Sequence, residues 1–424
     1  MIDWTRRELI AGAAALYSSQ VAACSTGAPK APTRLMLVGN RNTMFWAPFS
    51  GPGYEECQSR LRHVNGAVGV SDIRLRFVGW ALDSQGGKSA EVDAPNDLEV
   101  WAALEYPAGV FHPVTFLGGD RGWVRAGQTV DSDILALKLP AGAEFFVRCL
   151  VRTGSGGRYP FGAICRGGMD RYESGPTGSL ETKMVNGEIG TNGHYSVYTA
   201  SAILGTPDRP AHGVVIFGDS IACGFDNSKS EDTPQGGDEA GRHGYLERAL
   251  GMLGINSVNL SAPGFTAFMP AANETIVSRR LAFVSDLGDI LINTLGRNDW
   301  GTYWKSDAEL ALAQSKLSKL FSKAGLKPVL ATNLPWTDPA NTKFAGDPQT
   351  QMLWRDRYNT ALRAGAGEAP ILDVAAVGER NGLWPDRTWQ GDGTHPNTQG
   401  HAALAQAIIP ALQALSRRLP LPAL

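Results

Sequence analysis

Cysteine is scarce in this chain, with 5 residues among 424. None stands at metal-ligand spacing from a histidine, which argues against a zinc site. Net charge is also small: 39 basic against 41 acidic residues leave −2, with no long basic run, which argues against nucleic acid as a partner. No sustained repeat is visible, and past the first residues no apolar run is long enough to span a bilayer. What the chain has in quantity is glycine, 50 residues, as expected for many turns and long loops in a β-rich region. A hydrophobic fraction of 43% supplies real cores, and the length favours two domains.

At the N-terminus, Thr5-Arg6-Arg7-Glu8-Leu9-Ile10 precedes a short apolar run and then Val21-Ala22-Ala23-Cys24. This resembles a twin-arginine export signal joined to a lipoprotein cleavage site, with Cys24 acylated; the apolar run is too short for a membrane span. Residues 25–33, rich in Ser, Gly, Ala and Pro, read as a flexible tether. Residues 1–32 are thus expected to be signal and tether, on a protein exported to the periplasm or cell surface. Its contact with a membrane would be through the lipid anchor alone. A frayed amphipathic helix is the competing reading. Removing Cys24 leaves Cys57, Cys149, Cys165 and Cys223, which allow three pairings. Cys149 and Cys165 share a segment and could bridge in an oxidising compartment, whereas Cys223 reads as a small buried apolar residue.

From 33 to 205 the apolar period is two. Alternation at 73–80, 98–106, 134–139 and 145–151, with Gly- and Pro-rich turns between, predicts an all-β sandwich or jelly-roll domain. Trp80, Trp101 and Trp123 are either core or a sugar-stacking platform. Residues 152–208 show few strong periods and could wrap back onto the second domain; 206–212 is the boundary.

From 213 to 424 strand and helix patterns alternate, which predicts a parallel sheet with crossover helices. Strands are expected at 214–217, 255–260, 290–295, 328–333 and 370–374. Helices are expected at 239–253, 278–285, 308–324, 349–364 and 398–416, with another beginning at Ile221. A polar insertion occupies 226–237. Each polar block falls at or just past the C-terminal end of a strand, the edge where open α/β sheets place their ligands. The first is Gly218-Asp219-Ser220, which read alone is a capping turn. After the last strand, a longer loop carries Asp392-Gly393-Thr394-His395-Pro396. His395 can take the Ser220 proton and return it to a leaving group, and Asp392 can reach back to the other ring nitrogen. The backbone N–H groups of Ser220 and Gly264 and the Asn298 amide are candidate oxyanion donors; losing one such donor typically costs about 3–4 kcal/mol. His401 lies inside a helical pattern and reads as structural.

Gly218-Asp219-Ser220-Ile221, Gly264, Gly296-Arg297-Asn298-Asp299 and Asp392-Gly393-Thr394-His395 resemble, in order, the four sequence blocks of the SGNH hydrolases, or GDSL-type esterases. The resemblance covers the second half of the chain. It implies a flavodoxin-like three-layer α/β/α domain with a five-stranded parallel sheet, and metal-free, cofactor-free hydrolysis through an acyl-serine. It assigns Ser220 as nucleophile, His395 as base, Asp392 as its orienter, and Ser220, Gly264 and Asn298 as the oxyanion hole. Phe265, Trp300, Trp304, Trp336 and Trp389 are candidate substrate contacts, each equally readable as local packing. The indoles favour removal of O-acetyl groups from an extracytoplasmic polysaccharide. A lipase or thioesterase for longer acyl chains, and a non-catalytic glycan-binding surface protein, are the competing readings.

Overall fold

In a computed structural model of the protein, residues 35–418 are described, apart from 47–48, 84–88, 166–168, 194, 226–236 and 367–368. The expected export signal with Cys24, the expected tether and most of the polar insertion lie outside the described residues. The described residues form one compact unit.

The strand Val214–Phe217 lies where its four apolar residues predict, and all four are buried. From one edge, the parallel sheet runs Asn42–Thr43, Ser257–Asn259, Val214–Phe217, Ile290–Asn293, Lys327–Ala331 and Ile371–Leu372. The last five have the strand order 2-1-3-4-5 expected of a flavodoxin-like sheet. The sheet has six strands, not five, because Asn42–Thr43 from the N-terminal half pairs onto the Ser257–Asn259 edge. The Asn42 side chain holds it there, donating to the Ser257 carbonyl at 3.0 Å and accepting from the Ile203 N–H at 2.8 Å. Successive strand residues face opposite sides. Val214, Ile216 and Ile292 pack with helices Tyr245–Met252 and Thr398–Arg418. Val215, Phe217 and Leu291 pack with Ser278–Val284, Asp307–Lys323 and Leu353–Arg363. Helices therefore cover both faces.

The N-terminal half is built from strands, as its period of two predicts. One sheet has four strands and another seven, and nearly all pairs are antiparallel. Phe77 and Tyr198 stack at 6.3 Å in a buried cluster that also takes in Cys57 and Val147 of the larger sheet. That cluster continues into Val215 and Phe217 of the parallel sheet, so the two halves share a core.

Several expectations are corrected. Residues 134–139 form only isolated bridges through Leu135 and Leu139. Glu56–Val64 is a central nine-residue strand that apolar alternation does not reveal. It buries Gln58 and Ser59, while Arg60 and Arg62 pair with Glu105 and Glu144. The helix expected at 239–253 begins only at Tyr245. No helix starts at Ile221; residues 220–224 make a turn in which the Phe225 N–H donates to the Ser220 carbonyl at 2.9 Å. Cys57, Cys149, Cys165 and Cys223 are free thiols, so Cys149 and Cys165 are not bridged. Trp80 is core and offers no stacking surface; its indole N–H donates to Thr129 Oγ1 at 3.3 Å. Trp123 is 53% exposed and Trp101 is half-buried beside it.

Candidate active site

A 2-1-3 strand order puts the loops after the first, second and third strands of this domain side by side at one sheet edge. Those loops carry Ser220, Gly264 and Asn298. The turn at Ser220 follows Gly218, which lies so close to its neighbours that a Cβ there would stand 2.1 Å from Thr294 Oγ1 and 2.5 Å from the Ala222 methyl. No larger residue fits between this strand end and the next. Asp219 is buried behind the serine and accepts from the Ile221 N–H at 3.0 Å. Burial pushes its carboxyl up to about 6, opposed by the Ile221 N–H and by His395 and Arg297.

His395 Nε2 lies 2.8 Å from Ser220 Oγ, although 175 residues separate them in the chain. His395 Nδ1 donates to Asp392 Oδ2 at 2.7 Å. The backbone N–H groups of Thr394 and His395 donate to Asp392 Oδ1 at 2.9 and 2.8 Å. Burial alone would raise the Asp392 carboxyl, but the bonds and charge of His395 and these N–H groups outweigh it and hold it down at about 2. The loop is anchored through Gly393, where φ is +83° and a Cβ would fall 1.8 Å from the Thr337 carbonyl oxygen. The Gly393 carbonyl accepts from Thr337 N–H at 2.9 Å and from the Trp384 indole at 3.1 Å. The Phe225 ring packs against the His395 ring at 5.0 Å.

Among the described residues, neither the Ser220 nor the Gly264 backbone N–H has an acceptor. Gly264 has φ +77°, a left-handed conformation that glycine adopts without strain. Asn298 sits in the first turn of Arg297–Gly301, and its amide donates to the Phe265 carbonyl at 2.9 Å, which ties the two loops together. Its second amide proton is available to a ligand. Asp299, fully buried, accepts from the N–H groups of Ala267 and Phe268 at 2.9 and 2.8 Å. Burial raises its carboxyl to about 7 despite those donors.

The candidate substrate contacts divide. Phe265 and Trp300 are each 1% exposed and have no surface to offer, which corrects the expectation for both. Phe265 lies against the Arg280 guanidinium at 4.7 Å; the Trp300 indole donates to Asn333 Oδ1 at 3.1 Å. Trp304 is 55% exposed, and Trp336 and Trp389 are partly exposed. His401 is buried in its helix and accepts from the Tyr245 N–H at 3.2 Å, a structural position.

Arg297 is a site residue that its sequence context does not single out. Its guanidinium is buried over the rings of Trp336 and Trp300, at 4.2 and 5.0 Å, and Nη2 reaches Thr394 Oγ1 at 3.4 Å. Burial lowers it to about 10, while Asp219 and Asp392 pull the other way. Its place between the glycine and the asparagine of the third block is the available signal. Among the described residues, no three His, Cys, Asp or Glu side chains group closely enough to hold a metal ion.

Residues 216–403 match the model of the GDSL-like lipase/acylhydrolase family. Solved structures with similarity include a lipolytic protein of the G-D-S-L family from Desulfitobacterium hafniense, 16% identical (47% of this chain, 98% of that one, TM-score 0.36). An acetylxylan esterase from Geobacillus stearothermophilus is 21% identical (47% and 93%, TM-score 0.34). No curated protein matches the chain. The N-terminal half has no family match, whereas residues 216–403 are a GDSL-like lipase/acylhydrolase domain, and with it the chain is a serine ester hydrolase.

Proposed function

We propose that the protein hydrolyses carboxylic esters through an acyl intermediate on Ser220 and that its substrate is an O-acetylated, extracytoplasmic polysaccharide. The observation that carries the reading is the 2.8 Å approach of His395 Nε2 to Ser220 Oγ, with Asp392 on the opposite ring nitrogen. His395 takes the Ser220 proton as Oγ attacks the ester carbonyl. The Asp392 carboxylate keeps Nδ1 protonated and stabilises the imidazolium that forms. The Ser220 and Gly264 N–H groups and the Asn298 amide receive the oxyanion. His395 then gives its proton to the departing sugar oxygen. Water, deprotonated by the same imidazole, attacks the acyl carbonyl; the bond to Ser220 Oγ breaks, the imidazolium returns its proton to Oγ, and acetate leaves.

The substrate class is supported by the placement of the aromatics. Phe265 and Trp300 are withdrawn into the core and line no acyl channel, while Trp304 presents an open indole of the kind that stacks on sugar rings. The extracytoplasmic location rests on the paired arginines and Cys24 of the N-terminal segment. The test compares acetate release from acetylated polysaccharides by the parent and by Ser220→Ala. Turnover is expected to fall at least about a thousandfold; a serine-independent rate would overturn the acyl-serine route. On a series of model esters, rates falling beyond propionyl support the acetyl reading. Rates rising toward octanoyl replace it with a lipase or thioesterase.

A further inference from the structure

The loop that carries Gly264 is held from two sides, and one of those sides belongs to the N-terminal half. Strands Trp80–Asp83 and Ala90–Asp93 pair antiparallel, Leu82 opposite Glu91, and Ser89 stands just before the second strand. Ser89 is buried, with φ +52°, and its Oγ accepts from the Thr266 N–H at 3.1 Å. Two residues on, the Glu91 carboxylate accepts from the backbone N–H groups of Arg279 and Arg280, both at 2.9 Å, and from Arg280 Nε at 3.0 Å. The wholly buried Arg280 donates through Nη2 to the Ser89 carbonyl at 2.7 Å and lies between the rings of Phe217 and Phe265, at 4.9 and 4.7 Å. From the hydrolase side, Asn298 holds the Phe265 carbonyl and Asp299 holds the Ala267 and Phe268 N–H groups. Within the loop itself, the backbone groups so fixed, from Phe265 to Phe268, lie just C-terminal to Gly264, and among these four residues Thr266 is the one whose acceptor comes from the other half.

We propose that Ser89, braced by Glu91 and Arg280, is a positioning residue for the oxyanion site, so that the N-terminal β half is a working part of the esterase. The inference rests on the oxyanion role proposed above for Gly264. A residue in the left-handed region is normally glycine or asparagine. Serine there carries strain, and what it supplies in return is an acceptor aimed at Thr266. Losing an oxyanion donor costs about 100- to 1,000-fold in turnover, and a partial misplacement about 10-fold.

The test uses the full chain and two variants. Ser89→Gly removes the acceptor and relieves the strain, two opposing effects on stability, so a role confined to folding predicts a change in Tm at most, with turnover unchanged. The proposal predicts that kcat on 4-nitrophenyl acetate falls about 10-fold, with KM within twofold. A boronic acid that mimics the tetrahedral intermediate should weaken in proportion to kcat. Ser89→Asn tolerates the same backbone and restores an acceptor, and kcat is expected to return to within about threefold of the parent. Parent-like kcat and boronate affinity in Ser89→Gly overturn the proposal, as does an equal loss in the Asn variant. If Ser220→Ala kept its turnover, the acyl-serine reading would fall first; if that variant is dead and Ser89→Gly is parent-like, only this proposal falls.

Discussion

Replacing Asp392 with asparagine is a sharp perturbation because the hydrogen bonds around the carboxylate dictate which way the new amide must face. Oδ1 accepts two backbone N–H groups, from Thr394 and His395, at 2.9 and 2.8 Å. An amide NH2 cannot sit opposite two donors, so the oxygen of the new side chain takes that place and its nitrogen faces His395 Nδ1. Nδ1 must then be the unprotonated nitrogen. The ring proton moves to Nε2, toward Ser220 Oγ, 2.8 Å away. The imidazole can no longer accept the serine proton without first giving up its own. An equivalent change in chymotrypsin-type triads lowers kcat about 10⁴-fold, or about 5.5 kcal/mol at about 1.4 kcal/mol per decade. The expectation here is a loss between about 10³- and 10⁴-fold in kcat on 4-nitrophenyl acetate. Because both loop N–H groups keep their acceptor, Tm should stay within about 2 °C. Asp392→Ala strips that acceptor and should be the less stable of the two without being less active. Nitrogen NMR of the His395 ring reads the tautomer directly. An asparagine variant that retains a tenth of parental kcat, or whose ring stays protonated on Nδ1, refutes the reasoning.

Two further expectations concern the supports of the site. Gly218→Ala places a methyl 2.1 Å from Thr294 Oγ1 and 2.5 Å from Ala222 Cβ. Overpacking of this kind costs about 1–3 kcal/mol, so urea unfolding should show that loss together with reduced kcat; an unchanged midpoint would show that the strand ends can part freely. Asp299 gives a pH signature. Its carboxyl is at about 7 in the fold against 3.8 when unperturbed. The folded state therefore holds a proton that the unfolded chain releases, and stability falls as pH rises from about 4 to about 7, by up to roughly 4 kcal/mol. Asp299→Asn should flatten that stretch of the stability–pH curve. A variant curve with the parental slope would refute the assignment.

The triad shows how much of this is readable in the linear chain. Ser220, Gly264 and Asn298 follow apolar strand segments, and the alternation of strand and helix patterns dictates a parallel sheet whose carboxyl edge collects those loops. Asp392 and His395 are three residues apart, so their mutual bond is a local matter. Other elements are hidden for physical reasons. Glu56–Val64 is central, yet its buried polar residues and arginines find partners on other strands, so it lacks an apolar signature. Residues 134–139 have a strand-like pattern but meet a neighbour only at single positions.

Residue types and their spacing thus defined the chemistry available to this protein: a hydroxyl, an imidazole, a carboxylate and three donors, each at a strand end or loop. Tertiary structure alone decided which aromatics face solvent, since Phe265 is sequestered by an arginine 15 residues away and Trp300 by Asn333 and its neighbouring rings. It also decided that the two halves join into one body. The bonds that join them, from Asn42 to Ser257 and from Ser89 to Thr266, connect residues 215 and 177 positions apart. No local pattern encodes such pairs, because each partner alone is an ordinary polar residue in a turn or at a strand edge, and only the packed core brings them within reach.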